Sequence, residues 1–315
     1  MTADPSRVRP GEADPAALSG YDGQPRMGFF TDTSVCIGCK ACEVACKEWN
    51  MIPEDGLNFT GMSYDNSEGL SADTWRHVAF IEQRLPLGEQ ETSGARPASA
   101  GGGGAPVDLG MPSFDLPGAQ TGEAERGDFR WLMSSDVCKH CTHAACLDVC
   151  PTGSLFRTEY GTVVVQEDIC NGCGYCVPAC PYGVIDKRED DGRVWKCTLC
   201  YDRLGDGLEP ACAKACPTDS IQFGDLDELR ERAAGRVERL HEEGITSARL
   251  YGDDPDDGVG GAGAFFLLLD EPEVYGLPPD PVVTTRDLPD IWKHAGVAAL
   301  TLLAGLTATF VRRRG

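Results

Sequence analysis

The clearest periodic pattern in the chain is an apolar stripe within an otherwise charged stretch at residues 226–243. Apolar residues recur there at the three- and four-residue spacing of one helix face. The stripe consists of Leu226, Leu229, Ala233, Val237 and Leu240. We therefore predict an amphipathic helix over 226–243 that packs its apolar face against a core.

Short apolar runs elsewhere predict strands. Residues 78–81 and 162–165 are dominated by β-branched and other apolar side chains, which favour extended structure. Residues 265–269 form a continuous apolar run, which predicts a buried strand. The acidic, glycine-rich run at 252–263 before it predicts a loop.

An uncharged stretch near the C-terminus differs from the rest of the chain. Residues 295–311 carry no charge over seventeen positions, and three arginines at 312–314 follow them. Seventeen helical residues span about 25 Å, and Ile291, Trp292 and Lys293 extend the segment toward the roughly 20 residues that a membrane core requires. A buried soluble helix is the alternative, although such a helix rarely ends in three arginines. We predict a transmembrane anchor with a basic tail at 291–315, embedded in the lipid bilayer.

Two polar segments flank the first cysteine region. Residues 1–26 contain four prolines and predict a flexible tail, with neither the apolar core of a signal peptide nor an Arg-Arg pair. Residues 86–127 contain four consecutive glycines at 101–104 and several Pro, Ser and Ala residues, which predict a flexible surface loop. We assign the wider region 61–127 to an insertion.

Composition and charge narrow the possible function classes. The chain has 315 residues, of which 41% are hydrophobic and 25% charged, as expected for a globular protein of one or two domains. Its net charge of −22 argues against nucleic acid as a partner and against peripheral adhesion to anionic lipid. No nucleophile–base pair, phosphate loop or dinucleotide motif is evident, so we predict no catalytic residues.

Sixteen cysteines carry the candidate chemistry, and they form four quartets along the chain. The first and third quartets have the spacing C-x2-C-x2-C-x3-C, the second has one longer gap, and the fourth has eleven residues between its halves. A proline follows the last cysteine in three quartets, at Pro151, Pro181 and Pro217. In chain order the quartets are Cys36, Cys39, Cys42 and Cys46; Cys138, Cys141, Cys146 and Cys150; Cys170, Cys173, Cys176 and Cys180; and Cys197, Cys200, Cys212 and Cys216.

This spacing indicates iron–sulfur clusters. Three cysteines in a tight loop can ligate three irons of one cubane, and Gly38, Gly172 and Gly174 permit the sharp turns. The fourth cysteine then binds the other cluster of a pair. Disulfides are disfavoured because cysteines so close along the chain cannot easily bond each other. Zinc is the more serious alternative, but four-cysteine zinc sites use two C-x2-C pairs, which this spacing does not provide.

The motif C-I-G-C-K-A-C-E-V-A-C at 36–46, followed by K-E-W-N, resembles the opening motif of one family. That family is the β subunit of membrane-bound formate dehydrogenase, among the four-cluster subunits of molybdenum oxidoreductases. The segments Y-G-L-P-P-D-P at 275–281 and I-W-K at 291–293 are similar to its tail. The resemblance covers residues 27–60 and 128–311, whereas the insertion at 86–127 departs from the family.

The resemblance implies that each cluster draws ligands from two quartets. One cluster would be held by Cys36, Cys39, Cys42 and Cys216, and its neighbour by Cys46, Cys197, Cys200 and Cys212. A third would be held by Cys138, Cys141, Cys146 and Cys180, and the fourth by Cys150, Cys170, Cys173 and Cys176. Related nitrate reductase subunits have a tryptophan at one of these positions. Every position here is cysteine, so four [4Fe–4S] clusters are expected.

The same resemblance implies an α+β fold of two ferredoxin-like double-cluster modules with long loops and a single C-terminal transmembrane helix. The first module would comprise residues 27–60 together with 186–225, and the second residues 128–185. Residues 226–290 would form a helix and a membrane-proximal segment.

The implied function is electron transfer in a membrane-bound formate dehydrogenase. The chain would accept electrons from a molybdenum- or tungsten-pterin catalytic subunit and deliver them to an integral membrane subunit that reduces quinone. The equivalent subunit of a membrane-bound hydrogenase or of another molybdopterin oxidoreductase is the alternative within this class. A zinc-binding scaffold is the alternative from a different class.

The basic tail predicts an orientation in the cell membrane. The positive-inside rule places residues 312–314 in the cytoplasm and the cluster domain outside, although Lys293 and His294 on the other flank weaken that assignment. In the resembled family, the twin-arginine signal of the catalytic subunit exports the folded pair. Such export would account for the missing signal peptide. If the partner lacks such a signal, the cluster domain faces the cytoplasm instead.

Other residues between the cysteines are candidates for secondary roles. His140 and His143 lie inside the second quartet, and we expect loop residues near cluster sulfur rather than ligands because four cysteines are already present. Four further residues could tune or shield clusters: Lys139, Trp195, Lys196 and Arg203.

Overall fold

The computed structural model describes residues 25–56, 61, 64, 65, 67–84, 129–283, 285 and 287–312. The chain divides into two units, a larger one made of residues up to 79 together with those from 133 onward, and a smaller one at 80–132. The predicted tail at 1–26 lies outside the described residues except for 25 and 26, and the predicted loop at 86–127 lies outside them entirely.

Short strands and mostly short helices alternate along the described part of the chain, which is an α+β architecture as predicted. The strands are β1 (Met27–Asp32), β2 (Arg76–Arg84), β3 (Phe129–Val137), β4 (Leu155–Arg157), β5 (Val163–Val165), β6 (Asp186–Lys187), β7 (Val194–Trp195), β8 (Ile221–Asp225), β9 (Arg249–Tyr251) and β10 (Ala264–Leu268). The helices are α1 (Ala41–Trp49), α2 (Ala145–Asp148), α3 (Cys176–Ala179), α4 (Tyr201–Gly205), α5 (Ala211–Lys214), α6 (Leu226–Glu242) and α7 (Leu288–Arg312).

A four-stranded sheet with the strand order β8-β1-β10-β9 supports the first core. Helix α6 packs on it with the predicted stripe, of which Leu226, Leu229, Ala233 and Leu240 are buried and Val237 is partly buried. Asp225 caps the helix by accepting hydrogen bonds from the backbone N–H groups of Asp227 and Glu228 at 2.9 and 3.2 Å. The predictions of a helix at 226–243 and a buried strand at 265–269 are confirmed.

The pairing of β1 with β8 brings distant cysteine segments together. The two strands are antiparallel, with Thr31 opposite Ile221. Just beyond that pair, the Asp32 N–H donates to the Ser220 carbonyl at 2.7 Å, and the Ser220 hydroxyl donates to the Asp32 carbonyl at 2.7 Å. Because β1 leads into the first quartet and β8 follows the fourth, antiparallel pairing places these two quartets side by side.

A second core lies between two hairpins and two single-turn helices. Strand β4 pairs with β5 and strand β6 pairs with β7, both antiparallel. The buried members of this core are Ala144, Leu155, Val163, Cys176, Ile185 and Val194. Strand β5 confirms the prediction at 162–165, and β2, which pairs with β3, contains the strand predicted at 78–81.

The C-terminal helix α7 is 25 residues long. A helix of that length spans about 37 Å, which exceeds the roughly 30 Å of a bilayer core. Its segment Asp290–Thr309 has a mean hydropathy of 1.3, and no part of it is buried within the chain. A helix whose apolar side chains face outward all round is suited to lipid. The helix is therefore compatible with the predicted membrane anchor.

The segment that precedes α7 contacts helix α2 and the loop at 258–259. The Val283 N–H donates to the Gly258 carbonyl at 3.1 Å, and the Val283 side chain packs with Ala145 and Val259. The Thr285 hydroxyl donates to Asp148 at 2.6 Å, at the end of α2. The candidate membrane helix thus begins beside the segment that carries the second quartet.

Candidate functional site

Three cysteines of the first quartet and one of the fourth line a single cavity. Group A consists of Cys36, Cys39, Cys42 and Cys216. The Ser135 hydroxyl lies 3.2 Å from the Sγ of Cys42, within the same cavity wall. Burial raises the pKa of Cys42 to about 11. Burial and the nearby thiols of Cys216 and Cys39 raise the pKa of Cys36.

Left-handed turns shape the cysteine loops. Gly38 has a φ of 64° in the first loop, and Lys40 has a φ of 58° just before helix α1 begins. Gly172 and Gly174 have φ angles of 68° and 74° in the third quartet. Glycine adopts these conformations without the strain that a Cβ would cause, so the expectation that the three glycines permit sharp turns is confirmed.

The last cysteine of the first quartet lies among three cysteines of the fourth. Group B consists of Cys46, Cys197, Cys200 and Cys212, whose thiols lie close enough to act on one another electrostatically. Burial, reinforced by the other thiols of the group, raises the pKa of Cys46 well above its ordinary value. The Asn50 amide lies 3.7 Å from the Sγ of Cys46 and 3.9 Å from that of Cys200, and the Leu199 N–H donates to Cys197 at 3.3 Å.

A second cavity is lined by three cysteines of the second quartet and one of the third. Group C consists of Cys138, Cys141, Cys146 and Cys180. Burial raises the pKa of Cys146 to about 12 and that of Cys141 well above its ordinary value. Arg157 holds the loop in place, since its Nη2 donates to the carbonyl oxygens of Cys141 and Thr142 at 3.0 and 2.7 Å.

The remaining four thiols come from the second and third quartets. Group D consists of Cys150, Cys170, Cys173 and Cys176, and the other three thiols act on that of Cys176. Burial raises the pKa of Cys176 to about 11. Burial opposes ionisation of Cys150 as well, but hydrogen bonds from Ser154, Thr152 and the Leu155 backbone lower its pKa to about 6.

The four groups follow one another as neighbours. Cys42 of group A lies near Cys212 of group B. Cys197 of group B lies near Cys138 of group C. Cys146 of group C lies near Cys176 of group D. The structure therefore brings together the four sets that the resemblance implies, in the order A, B, C and D.

The thiol groups fit a polynuclear cluster. Groups A and C each place four thiols around one cavity. A [4Fe–4S] cluster distributes four irons over four thiolates. Buried thiols whose ionisation is opposed by burial and by one another are stabilised as thiolates by bound iron cations.

Two of the four candidate tuning residues are buried cations near the thiols. The Lys196 ammonium donates to the carbonyl oxygens of Val163 and Cys197. Burial alone would lower the pKa of Lys196, but the thiols of Cys138, Cys146 and Cys197 raise it. Lys139 is also buried, and its ammonium pairs with Asp136.

The other candidates occupy different positions. Trp195 stacks on Trp75 with ring centres 6.1 Å apart, and Arg203 lies 4.2 Å from the centre of the Trp49 ring. His140 lines the group C cavity, and its Nδ1 accepts from the Val163 N–H at 3.1 Å. His143 lies outside that lining and contacts the 259–261 segment through its backbone N–H.

Arg76 is one of the residues near the thiols that the sequence did not single out. It is buried, and the thiols of Cys212, Cys42, Cys197 and Cys46 all act on its charge. Burial would lower the pKa of Arg76, whereas these thiols raise it. The one available signal was a charged residue next to the strand predicted at 78–81, which is too common a pattern to interpret alone.

Comparison with known proteins is consistent with this arrangement. Two models of the 4Fe-4S dicluster domain match the chain, over residues 35–154 and 129–226. The nitrate-inducible formate dehydrogenase iron–sulfur subunit of Escherichia coli is 36% identical over 97% of this chain and 85% of its own length. The formate dehydrogenase iron–sulfur subunit of Haemophilus influenzae is 38% identical over 85% of this chain and 73% of its own.

This chain belongs to the family of formate dehydrogenase iron–sulfur subunits. A more distant relative, a subunit of the anaerobic dimethyl sulfoxide reductase of Escherichia coli, is 33% identical over 66% of this chain and 77% of its own length. As a formate dehydrogenase-type iron–sulfur subunit, the protein has ferredoxin-like domains, multiple [4Fe–4S] clusters and an electron-transfer role, as predicted. The dicluster matches decide against the disulfide and zinc alternatives.

Proposed function

We propose that this protein relays single electrons in a membrane-bound formate dehydrogenase, from a molybdenum- or tungsten-pterin catalytic subunit to a membrane subunit that reduces quinone. The observation that carries the proposal is the uninterrupted order of the thiol groups A, B, C and D. Electron transfer requires closely spaced carriers, and neighbouring thiol groups provide sites for them.

Each group holds one [4Fe–4S] cluster in this proposal, which makes four clusters with all sixteen cysteines as ligands. The clusters supply the one-electron carriers, with potentials set by charge, hydrogen bonds and exposure. The protein contributes the buried thiols, the hydrogen bonds from Ser135, Asn50 and Leu199, and the exclusion of water. It contributes no catalytic residue.

The two ends of the series are more accessible than its middle. Cys39 of group A and Cys173 of group D are exposed, whereas all four cysteines of group B are buried. Next to group A, Ile37 and Val44 are 57% and 60% exposed. Next to group D, Tyr175 is 63% exposed. Apolar and aromatic side chains favour protein interfaces, so these ends are proposed as the entry and exit contacts with partner subunits.

The direction of transfer follows from the position of the anchor. The Thr285–Asp148 hydrogen bond attaches the segment before α7 to the helix that precedes Cys150 of group D. Group D is therefore assigned to the membrane side, and group A to the catalytic subunit. The positive-inside rule supports a cytoplasmic C-terminus and a cluster domain on the opposite face of the membrane.

The deciding experiment uses the complex purified anaerobically with its partners. We expect about sixteen irons and sixteen sulfides per chain, four per cubane. Formate should reduce the clusters, and a quinone analogue should reoxidise them. Reduction by hydrogen or reoxidation by dimethyl sulfoxide, with no response to formate, would assign the chain to a hydrogenase or to a sulfoxide reductase instead. Fewer irons would reject the four-cluster proposal.

A further inference from the structure

Arg76 is a buried cation with an incomplete set of partners. The residue is 2% exposed at the start of β2, and across the described residues no carboxylate forms an ion pair with it. Guanidinium groups keep their charge in proteins. Burying a charge without an opposite charge or hydrogen bonds is unfavourable, so a compensating group is expected close by.

Protein contacts satisfy only one side of the guanidinium. Its Nη1 donates to the carbonyl and hydroxyl oxygens of Ser135 at 3.2 and 3.1 Å, and its central carbon lies 4.8 Å from the centre of the Phe29 ring. Its Nε and Nη2 are buried and have no hydrogen-bond partner in the described structure. Two donors of a fixed, planar fork are thus left available.

The thiols that act on the guanidinium charge come from two different cluster sites. Cys42 belongs to group A, whereas Cys46, Cys197 and Cys212 belong to group B, and all four act on the Arg76 charge. Ser135 adds a direct link, because its hydroxyl contacts both Arg76 and the sulfur of Cys42. Arg76 therefore lies where groups A and B meet.

We propose that Arg76 is a shared tuning residue that donates hydrogen bonds from Nε and Nη2 to sulfur at groups A and B and raises both reduction potentials. A cubane with four thiolates is anionic and becomes more so on reduction. A fixed cation and charge-assisted hydrogen bonds stabilise the reduced form more than the oxidised form. The inference rests on the proposed ligation by groups A and B.

The other buried cations near the thiols lack this feature. Lys139 is paired with Asp136, and Lys196 donates to the carbonyl oxygens of Val163 and Cys197. Arg157 donates to the carbonyl oxygens of Gly161 and Cys141. Arg76 differs from these three because it retains unpartnered donors between two sites.

The test compares Arg76→Met, Arg76→Lys and Arg188→Met in the full complex by EPR-monitored redox titration. Methionine removes the charge and the donors while keeping an unbranched side chain, and lysine keeps the charge but not the fork. Arg188→Met is the matched control, because Arg188 is partly buried against Trp195 and its charge is already paired with the carboxylates of Asp73 and Asp191. Signals are assigned by their loss in Cys216→Ser for group A and Cys200→Ser for group B.

We expect Arg76→Met to shift the potentials of both clusters to more negative values, with groups C and D unchanged. Arg76→Lys should cause a smaller shift in the same direction, and Arg188→Met none. Unchanged potentials for groups A and B in Arg76→Met would overturn the tuning role. A shift in the potential of only one of the two clusters would overturn the proposal that Arg76 acts on both.

A second measurement does not depend on the stability of a variant. In the unmutated complex with isotopically labelled arginine, pulsed EPR should detect nitrogen couplings to reduced clusters of both groups. Their absence would also overturn the inference. The iron content and the number of cluster signals of the unmutated complex test the ligation itself, so a failure there is distinguishable from a failure of the Arg76 assignment.

Discussion

Cys36 and Cys216 line the same cavity, although they belong to the first and the last cysteine quartets of the chain. Strand β1 ends just before Cys36, and strand β8 begins just after Cys216. The two hydrogen bonds between Asp32 and Ser220 hold these strand ends together. A sheet formed by distant segments thus positions the thiols of group A.

The Cys216→Ser substitution should disturb the group A cluster, because serine replaces one of its four proposed ligands. We expect loss of that cluster or its conversion to a three-iron form, with the iron content falling from about sixteen to about twelve to fifteen per chain. EPR spectra of the reduced and oxidised complex, together with iron analysis, measure the change.

Cys200→Ser is the matched control for that experiment, because Cys200 comes from the same quartet but lies in group B. It should disturb a different EPR signal. If both substitutions affect the same cluster, the crossed arrangement of ligands is wrong.

Gly172→Ala should destroy the group D site. A Cβ at Gly172 would lie 2.1 Å from the carbonyl oxygen of Gly192, and the residue has a φ of 68°. The backbone between Cys170 and Cys173 would therefore have to move. We expect the complex to lose about four irons per chain, measured by iron analysis and EPR.

Gly174→Ala provides the comparison in the same loop. Gly174 has a φ of 74°, but no atom would lie within 4 Å of a Cβ added there. The substitution therefore costs only the strain of an alanine in a left-handed conformation, about 1–2 kcal/mol, so the group D cluster should be retained. Equal iron loss in the two variants would show that the close approach to Gly192 is unimportant.

Gly28→Ala should destabilise the first core. A Cβ there would lie 2.3 Å from the Gly263 carbonyl oxygen and 2.7 Å from Leu226, in the tightly packed region between β1, β10 and α6. Overpacking of this kind costs about 1–3 kcal/mol. We expect a lower temperature of cluster bleaching in heating scans at a constant rate.

Gly224→Ala is its control, because Gly224 lies opposite Gly28 in the register of β1 and β8. The nearest atoms to an added Cβ there belong to Leu229 at 3.9 Å, an ordinary contact. Its bleaching temperature should stay close to that of the unmutated protein. A decrease as large as that of Gly28→Ala would contradict the packing argument.

Leu300→Arg should impair membrane association, because it places a charge near the middle of the Asp290–Thr309 span. Insertion scales assign a cost of about 2.5–3.5 kcal/mol to a charge at the centre of a membrane helix. We expect a smaller fraction of the protein in the membrane pellet after expression of the full chain.

Leu288→Arg places the same charge at the first residue of α7, where a long side chain can reach the interface. The fraction of this variant found in the membrane pellet should stay close to that of the unmutated protein. Equal distribution of the two variants between pellet and supernatant would argue against a membrane-spanning role for α7.

Elements with strong local signals are predictable from the sequence. The stripe at 226–243 predicts α6, since helical periodicity is visible within a few turns, and the uncharged stretch at 295–311 predicts the long apolar helix α7. The cysteine spacing indicates cubane clusters, because the loop around three irons is short and local. The glycines at positive φ are likewise a local requirement of that loop.

Which thiols become neighbours depends on how distant segments pack together. The residues themselves left the partner of each quartet open, and family resemblance supplied the crossed sets. The physical cause is non-local: β1 pairs with β8 across most of the chain, which places Cys216 beside Cys36. The position of Arg76 between groups A and B has the same origin, because burial and electrostatic surroundings depend on segments that are distant in sequence.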